Sequence, residues 1–161
     1  MRLRPITADD RWLFVELLCD DEVMHHLGGA ISVEAAEQTL ARQIDPAAAD
    51  TTWARAILTE EDEVAGSLAL WIHDGEDPIT EIGWMVRPAF QGRGIGKRAV
   101  AMLLDEAQAD GRWGPIYAFP ADTNEASNAM SRTLGFTLVE VKEFVYQGRT
   151  LRCNVWRHDP P

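Results

Sequence analysis

Long apolar runs and cysteines are scarce in this chain of 161 residues. No apolar stretch approaches the roughly 18–20 residues that a membrane helix needs, and residues 1–5 lack the apolar segment of a signal peptide. Cys19 and Cys153 are too few for a disulfide framework and lack the paired spacing of a zinc site. The sequence therefore predicts a cytoplasmic protein with reduced thiols, no metal and no membrane partner.

Basic residues are also in short supply, because 15 Lys and Arg stand against 26 Asp and Glu, a formal net charge of −11. This charge argues against a nucleic-acid partner and favours a cationic ligand, although an acidic surface also serves solubility. The acidic turns predicted at 60–63 and 74–77, beside the central strands, are expected to lie on the approach of that ligand. The length suits a single domain over residues 1–161, without repeats. We expect disorder only at the end, Asp159, Pro160 and Pro161.

Hydrophobic periodicity and turn residues predict a strand, two helices, three hairpin-linked strands, a helix, a strand, a helix and a final hairpin. The predicted strands are 3–6, 53–59, 64–72, 79–86, 116–119, 136–146 and 151–156. The predicted helices carry residues 12–18, 35–44, 94–109 and 124–134. The fold class is α/β of the α+β type, with a mixed, mostly antiparallel sheet flanked by helices.

Residues 86–97, V-R-P-A-F-Q-G-R-G-I-G-K, join a predicted strand to a predicted helix through three glycines. Glycines let backbone N–H groups approach a ligand, and a helix N-terminus presents unpaired donors with partial positive charge. Arg93, Lys97 and Arg98 oppose the helix dipole unless an anion is bound, at a cost of roughly 0.3–1 kcal/mol each. The segment therefore predicts a phosphate site.

Two common phosphate motifs do not fit this segment. A P-loop needs G-x-x-x-x-G-K-[ST], and Gln91 and Arg98 stand at two of its required positions. The dinucleotide fingerprint is matched by Gly94 and Gly96, but antiparallel strands precede it and Gly114 stands where an acidic residue is needed.

The pattern V-x-P-x-x-Q-G-x-G-I-G resembles motif A of the GNAT acetyltransferases, and the predicted element order is also that of the family. Asn124 to Ser127 followed by L-G-F at 134–136 is similar to the family's second signature, in the branch of ribosomal-protein N-terminal acetyltransferases and their small-molecule relatives. The resemblance implies that acetyl-CoA is the cosubstrate. It implies the following coenzyme-binding residues: Met85, Val86, Gln91, Gly92, Arg93, Gly94, Ile95, Gly96, Lys97 and Asn124.

The sequence lacks the residue that serves as the general acid in much of the broader family. Many members carry a tyrosine seven residues after the Asn as the acid that protonates the departing thiolate, whereas this chain has Ser131. In the resembling branch Ser127 replaces it. Ser127 is our candidate acid, with an ordinary position in the first helical turn as the alternative.

Glu81 lies on the strand that leads into the glycines, where the resemblance implies a carboxylate base in some members. The candidate general base is Glu81 or an ordered water, and a purely structural role of the Glu81 carboxylate is the alternative. A lysine-like amine costs roughly 4–5 kcal/mol to neutralise at pH 7, and an α-amine about 1. A carboxylate works as base only if burial raises its pKa.

Three further residues have weaker roles in this interpretation. His25 and His26 lie in the region that walls the acceptor side in the family, and adjacent histidines lack the spacing of a helical metal pair. Cys153 alternates with polar residues in the last strand, so it is expected to pack as a small hydrophobe rather than act as a nucleophile.

The resulting hypothesis is an N-acetyltransferase that moves acetyl directly to a cationic amine. A non-catalytic acyl-CoA-binding or sensor domain is the alternative. The acceptors compatible with the sequence are a protein N-terminus, a polyamine, an aminoglycoside and an amino-acid derivative, and a homodimer is compatible with the fold.

Overall fold

A computed structural model describes residues 1–73, 77–146 and 148–159, which form seven strands and four α-helices. The strands are β1 (Arg2–Pro5), β2 (Thr52–Leu58), β3 (Val64–His73), β4 (Ile79–Val86), β5 (Ile116–Ala118), β6 (Thr137–Tyr146) and β7 (Arg149–His158). The helices are α1 (Arg11–Leu18), α2 (Val33–Gln43), α3 (Ile95–Asp110) and α4 (Glu125–Thr133). This order and the α/β class match the predictions, with boundaries shifted by a few residues.

All strands join one sheet in the order β1-β2-β3-β4-β5-β7-β6. Every pairing is antiparallel except that of β4 with β5. The chain crosses from β4 to β5 through α3, the kind of connection that parallel neighbours require. The mixed, mostly antiparallel sheet is therefore confirmed.

Helices cover both faces of the sheet, and each face has its own apolar core. On one face α3 packs on Leu68, Leu70 and Ile82 through an inner side that the periodicity predicted. On the other face α1 and α2 pack on Ala54 and Ala69. The small side chains of that second face allow the helices to approach the sheet closely. Among the described residues, no helix is long and apolar enough to cross a bilayer.

A buried carboxylate shapes the entry into α1. Asp10 accepts hydrogen bonds from the Arg4 guanidinium at 2.6 and 2.8 Å and from the Thr7 backbone N–H at 2.8 Å. The Arg4 bonds hold the pKa of Asp10 below its usual range, against the opposing effect of burial. These bonds hold residues 8–10 in a 3-10 turn, and α1 begins directly after it at Arg11.

The start of α2 and the end of α3 carry residues that commonly cap helices. The hydroxyl of Ser32 accepts the Ala35 N–H at 3.2 Å and so caps α2. Helix α3 ends at Gly111, whose φ of 79° is the left-handed conformation that favours glycine. Pro160, Pro161 and most of the predicted acidic turn at 74–77 lie outside the described residues.

Candidate active site

The parallel strands β4 and β5 separate soon after they meet. They pair only at Thr80 with Ile116 and at Glu81 with Tyr117. Strand β5 ends at Ala118, whereas β4 continues to Val86, so within the described chain this side of β4 has no further strand partner. An unpaired strand edge offers main-chain donors and acceptors to an extended ligand. Met85 and Val86, expected to contact the coenzyme through their main chain, lie on this free edge.

The gap that opens where β4 and β5 separate is called the β4–β5 slot below. The segment 86–97, called the glycine loop, follows β4 at one end of this slot. Gln91 reaches back and donates from Nε2 to the Val86 carbonyl at 2.9 Å. Gly92 and Gly94 have φ values of 72° and 68°, and a Cβ at either position would meet nothing within 4 Å. Because α3 starts directly afterwards, its first amides have no intrahelical acceptor and lie at an open surface. The loop geometry is that of an anion site.

The third glycine of the loop has a packing role. A Cβ at Gly96 would lie 3.1 Å from Cγ2 of Val86 and 3.7 Å from the sulfur of Met130. The start of α3, the end of β4 and helix α4 therefore come together here, and a larger side chain would push them apart. This contact brings the second signature, on α4, next to the glycine loop.

The basic side chains of the glycine loop lie at the surface. The Arg93 guanidinium lies 5.5 Å from the centre of the Phe90 ring, and Arg93 and Arg98 line a surface cleft with Glu60 and Glu61. The sequence placed the acidic turn 60–63 on the approach to the acceptor. The structure corrects this, because the β2–β3 turn lies at the same end of the sheet as the glycine loop.

Asn124 caps helix α4 and thereby holds the second signature. Its Oδ1 accepts the Ser127 N–H at 3.1 Å. Ser131, at the position of the family's tyrosine, is fully buried and donates to the Ser127 carbonyl at 3.0 Å. Ser131 therefore has a structural role, whereas Ser127 is only partly buried. The expected acid role of Ser127 stays a prediction.

Sequence reasoning missed Asn128, a buried amide that anchors α4. Its Oδ1 accepts from Asn154 Nδ2 at 2.7 Å and from the Trp156 indole at 2.8 Å, and its Nδ2 donates to the carbonyls of Ala121 and Asn124. All four hydrogen-bonding positions of the amide are thus used. An asparagine on the inner side of an amphipathic helix was the available signal, and its partners on β7 could not be predicted.

Glu81 lies on the opposite face of the sheet from α3, together with Gly83 and Met85 as predicted. Register places Trp71 of β3 and Tyr117 of β5 directly beside it. Its side chain is 20% exposed. Burial raises the pKa of the Glu81 carboxyl, while the contact with His73 opposes this effect. This surface, with Glu81 at its centre, is called the Glu81 face below.

His73, the last residue of β3, is a second contact that the sequence analysis missed. Its Nε2 lies 2.5 Å from Oε2 of Glu81, and the Trp71 indole donates to the same nitrogen at 3.0 Å. The only signal in the sequence was that residues 71 and 73, two apart on one strand, lie on the same face of the sheet. The pairing with Glu81 depends on the β3–β4 register.

Aromatic rings and a thiol continue the Glu81 face across β5, β6 and β7. Tyr117 and Phe119 stack with centroids 6.3 Å apart, and Phe119 meets Phe144 edge to face at 5.2 Å. Cys153 is buried as predicted, and burial raises the pKa of its thiol. A raised pKa disfavours the thiolate, which agrees with a packing role.

The loop between α1 and α2 passes over the Glu81 face. His26 Nδ1 lies 3.3 Å from the hydroxyl of Thr123, and Gly28 packs against the side chain of Arg149. The loop therefore reaches both the start of α4 and the β6–β7 hairpin. Among the described residues, no group of three or more potential metal ligands is found.

Sequence and structure comparisons identify the family of the chain. The family described as Acetyltransferase (GNAT) domain matches residues 1–137. N-alpha-acetyltransferase RimI of Mycobacterium tuberculosis is 40% identical over 62 residues, which cover 38% of this chain and 37% of that protein. The match thus spans little more than a third of this curated relative.

Solved structures share the fold over nearly the whole chain. Spermidine N-acetyltransferase from Vibrio cholerae, in complex with CoA and spermine, has a TM-score of 0.81 at 18% identity and covers 99% of this chain and 95% of that chain. The ribosomal L7/L12 alpha-N-protein acetyltransferase RimL, in complex with coenzyme A, has a TM-score of 0.80 at 20% identity and covers 98% and 92%. The family match covers most of the sequence and includes the glycine loop, so the chain belongs to the GNAT acetyltransferase domain family.

Proposed function

We propose that this protein transfers acetyl from acetyl-CoA directly to an amine. The observation that carries the proposal is the arrangement along β4, where a phosphate-type loop follows Val86 and a buried carboxyl of raised pKa lies at Glu81. Five residues of strand separate them by roughly 16 Å. An extended coenzyme lying in the β4–β5 slot would thus run from an anion site towards a base.

Each candidate residue has a defined task in this mechanism. The amides of the glycine loop hold the pyrophosphate, and the main chain at Met85 and Val86 orients the thioester. Glu81 accepts a proton from the ammonium group, and the neutral amine then attacks the carbonyl carbon. As the carbon–sulfur bond breaks, the Ser127 hydroxyl gives a proton to the leaving thiolate, and the second proton, which the attacking nitrogen loses as the amide forms, restores the hydroxyl. Positioning and fixed donors supply much of the rate, and no covalent enzyme intermediate is needed.

We infer a cationic acceptor such as a protein N-terminus or a polyamine. The structural relatives named above act, by their names, on an α-amine of a ribosomal protein and on spermidine. Support in this chain comes from the net charge of −11 and from aromatic rings beside Glu81, since ring faces attract cations.

An amine panel tests the proposed function. Purified protein with acetyl-CoA is given a hexapeptide with free N-terminal serine, spermidine, kanamycin or methionine amide, and coenzyme A release is measured. We expect turnover with at least one amine. Acetyl-CoA binding without turnover of any amine would instead support the sensor alternative.

A homodimer is proposed from the exposed outer edge of the sheet. Strand β6 is the last strand, and four of its apolar side chains are 44–78% exposed: Leu138, Val139, Val141 and Val145. An apolar edge strand is a template for pairing with another strand, here that of a second copy. Light scattering should give twice the chain mass, and Val145→Lys should shift it towards the monomer.

A further inference from the structure

The contact between His73 and Glu81 involves a third group, the indole of Trp71. The Nε2 atom of His73 lies within hydrogen-bonding distance of two groups, Oε2 of Glu81 at 2.5 Å and Nε1 of Trp71 at 3.0 Å. An imidazole nitrogen carries either a proton or a lone pair, so it cannot serve an indole donor and a carboxylate acceptor together. The two contacts therefore belong to different protonation states of the pair.

Each protonation state has a suitable partner already in place. When Nε2 carries a proton, it donates to the Glu81 carboxylate. When Nε2 has lost that proton, its lone pair accepts from the Trp71 indole, or from Glu81 if that carboxyl is protonated. Trp71 is held for this role, because it lies opposite Glu81 in register and its ring packs on Gly83, where a Cβ would come within 2.9 Å.

Exposure increases from the carboxyl to the imidazole. The Glu81 side chain is 20% exposed, whereas that of His73 is 48% exposed. A proton accepted by the mostly buried Glu81 therefore has a direct neighbour that reaches solvent.

We propose that His73 is a proton-relay residue that carries to solvent the proton that Glu81 removes from the acceptor amine. The proposal rests on the proposed function, with Glu81 as base. Glu81 takes one proton from the ammonium group and passes it to Nε2 of His73. The imidazolium then releases one proton to water, which restores the carboxylate and the neutral ring. His73 acts through Glu81, so it is a positioning residue and not a catalytic one.

Other titratable groups on this face are accounted for. Tyr117 lies beside Glu81 on β5, and Cys153 and Arg157 lie on β7. Arg157 is paired with Asp159, and the thiol pKa of Cys153 is raised by burial and further by the charges of Asp122 and Glu81. The loop between α1 and α2 adds His25 and His26. In the described part of the chain, none of these groups makes a hydrogen bond or ion pair with His73 or Glu81.

The test compares His73→Gln with the wild type across pH 6 to pH 9, with the panel amine of highest turnover as the probe. Gln keeps a donor for Glu81 but cannot carry a proton onward. We expect kcat to fall roughly tenfold near neutral pH, with little change in the KM of the amine, and by less towards the acid end, because a protonated imidazole cannot accept another proton. Added imidazole should restore the rate, because an external base can accept the proton from Glu81. His158→Gln is the matched control, because His158 lies on β7 beside Phe136 on the α3 face of the sheet, and it should show neither the loss nor the rescue.

Further variants distinguish a failure of the relay at His73 from a failure of the base assignment at Glu81. Glu81→Gln should resist rescue by imidazole, and adding His73→Gln to it should cause no further loss. Trp71→Phe keeps the ring but removes the indole N–H, so it should change the pH profile even if His73→Gln proves unstable. Full activity of Glu81→Gln would overturn the base assignment. If Glu81→Gln is impaired but His73→Gln or Trp71→Phe keeps the pH profile of the wild type, the relay is wrong and the base assignment stands.

Discussion

The glycine loop and the Glu81 face present different kinds of groups. The loop offers backbone amides from one continuous segment, with glycines at 92 and 94 in left-handed conformations and an open surface above them. The Glu81 face offers side chains from separate elements, with Trp71 and His73 on β3, Glu81 on β4 and Tyr117 on β5. A site made of backbone depends on conformation, and a site made of side chains depends on register and burial.

This difference has a consequence for substitution. At the glycine loop, a change acts through the main-chain path and the space above it. On the Glu81 face, a change acts through the proton and charge of single groups. Four experiments distinguish the two regions, and the substitution expected to do most damage comes first.

Gly94→Asp should abolish coenzyme A binding, with a loss of at least roughly 100-fold, or about 2.7 kcal/mol. The new carboxylate would stand at the helix N-terminus where a phosphate is expected, and calorimetry measures the loss. Gly111→Asp is the matched control, because Gly111 flanks the other end of α3 with a similar φ of 79° and equally open space. Normal binding by Gly94→Asp would show that the loop is not the donor site.

Glu81→Gln should lower kcat/KM roughly 100-fold near pH 6 and progressively less as pH approaches the pKa of the amine. Burial raises the pKa of Glu81 in the folded protein, so its ionisation opposes folding once pH rises through that raised value. The variant should therefore lose no thermal stability at pH 8. A defect of equal size at every pH would mark Glu81 as structural.

Ser127→Ala should lower kcat roughly tenfold while the KM of acetyl-CoA stays the same, because an acid for the thiolate acts only as the leaving group departs. Steady-state kinetics give both values. Ser131→Ala, four residues along α4, removes a buried hydroxyl bonded to the Ser127 carbonyl. It should reduce thermal stability and leave kcat largely unchanged, so equal kcat losses in both variants would contradict an acid role for Ser127.

Salt should have the smallest effect and should act on both regions. At saturating acetyl-CoA, kcat/KM for a cationic amine is expected to fall roughly threefold between about 0.02 and 0.5 M salt, because screening weakens steering. Donor binding should weaken separately, since Arg93, Lys97 and Arg98 are expected to face an anionic coenzyme. A flat acceptor profile would favour a neutral or anionic acceptor.

Local signals predicted most of the fold. The order of elements, the ends of α2 and α3 and the inward position of Cys153 all followed from periodicity, caps and alternation within short segments. The glycine loop was predicted for the same reason, because its conformation is encoded in twelve consecutive residues. These features need no knowledge of distant contacts.

The remaining features depended on contacts between distant segments. His73 meets Glu81 through the β3–β4 register, Asn128 is satisfied by residues of β7, and the acidic turn 60–63 lies beside Arg93 because of how the sheet is ordered. The resemblance to the family predicted a base at Glu81 and an acid at Ser127. Burial of Glu81, and with it the rise of its pKa, arises only when helices, loop and sheet pack together, since desolvation is a property of the assembled surroundings.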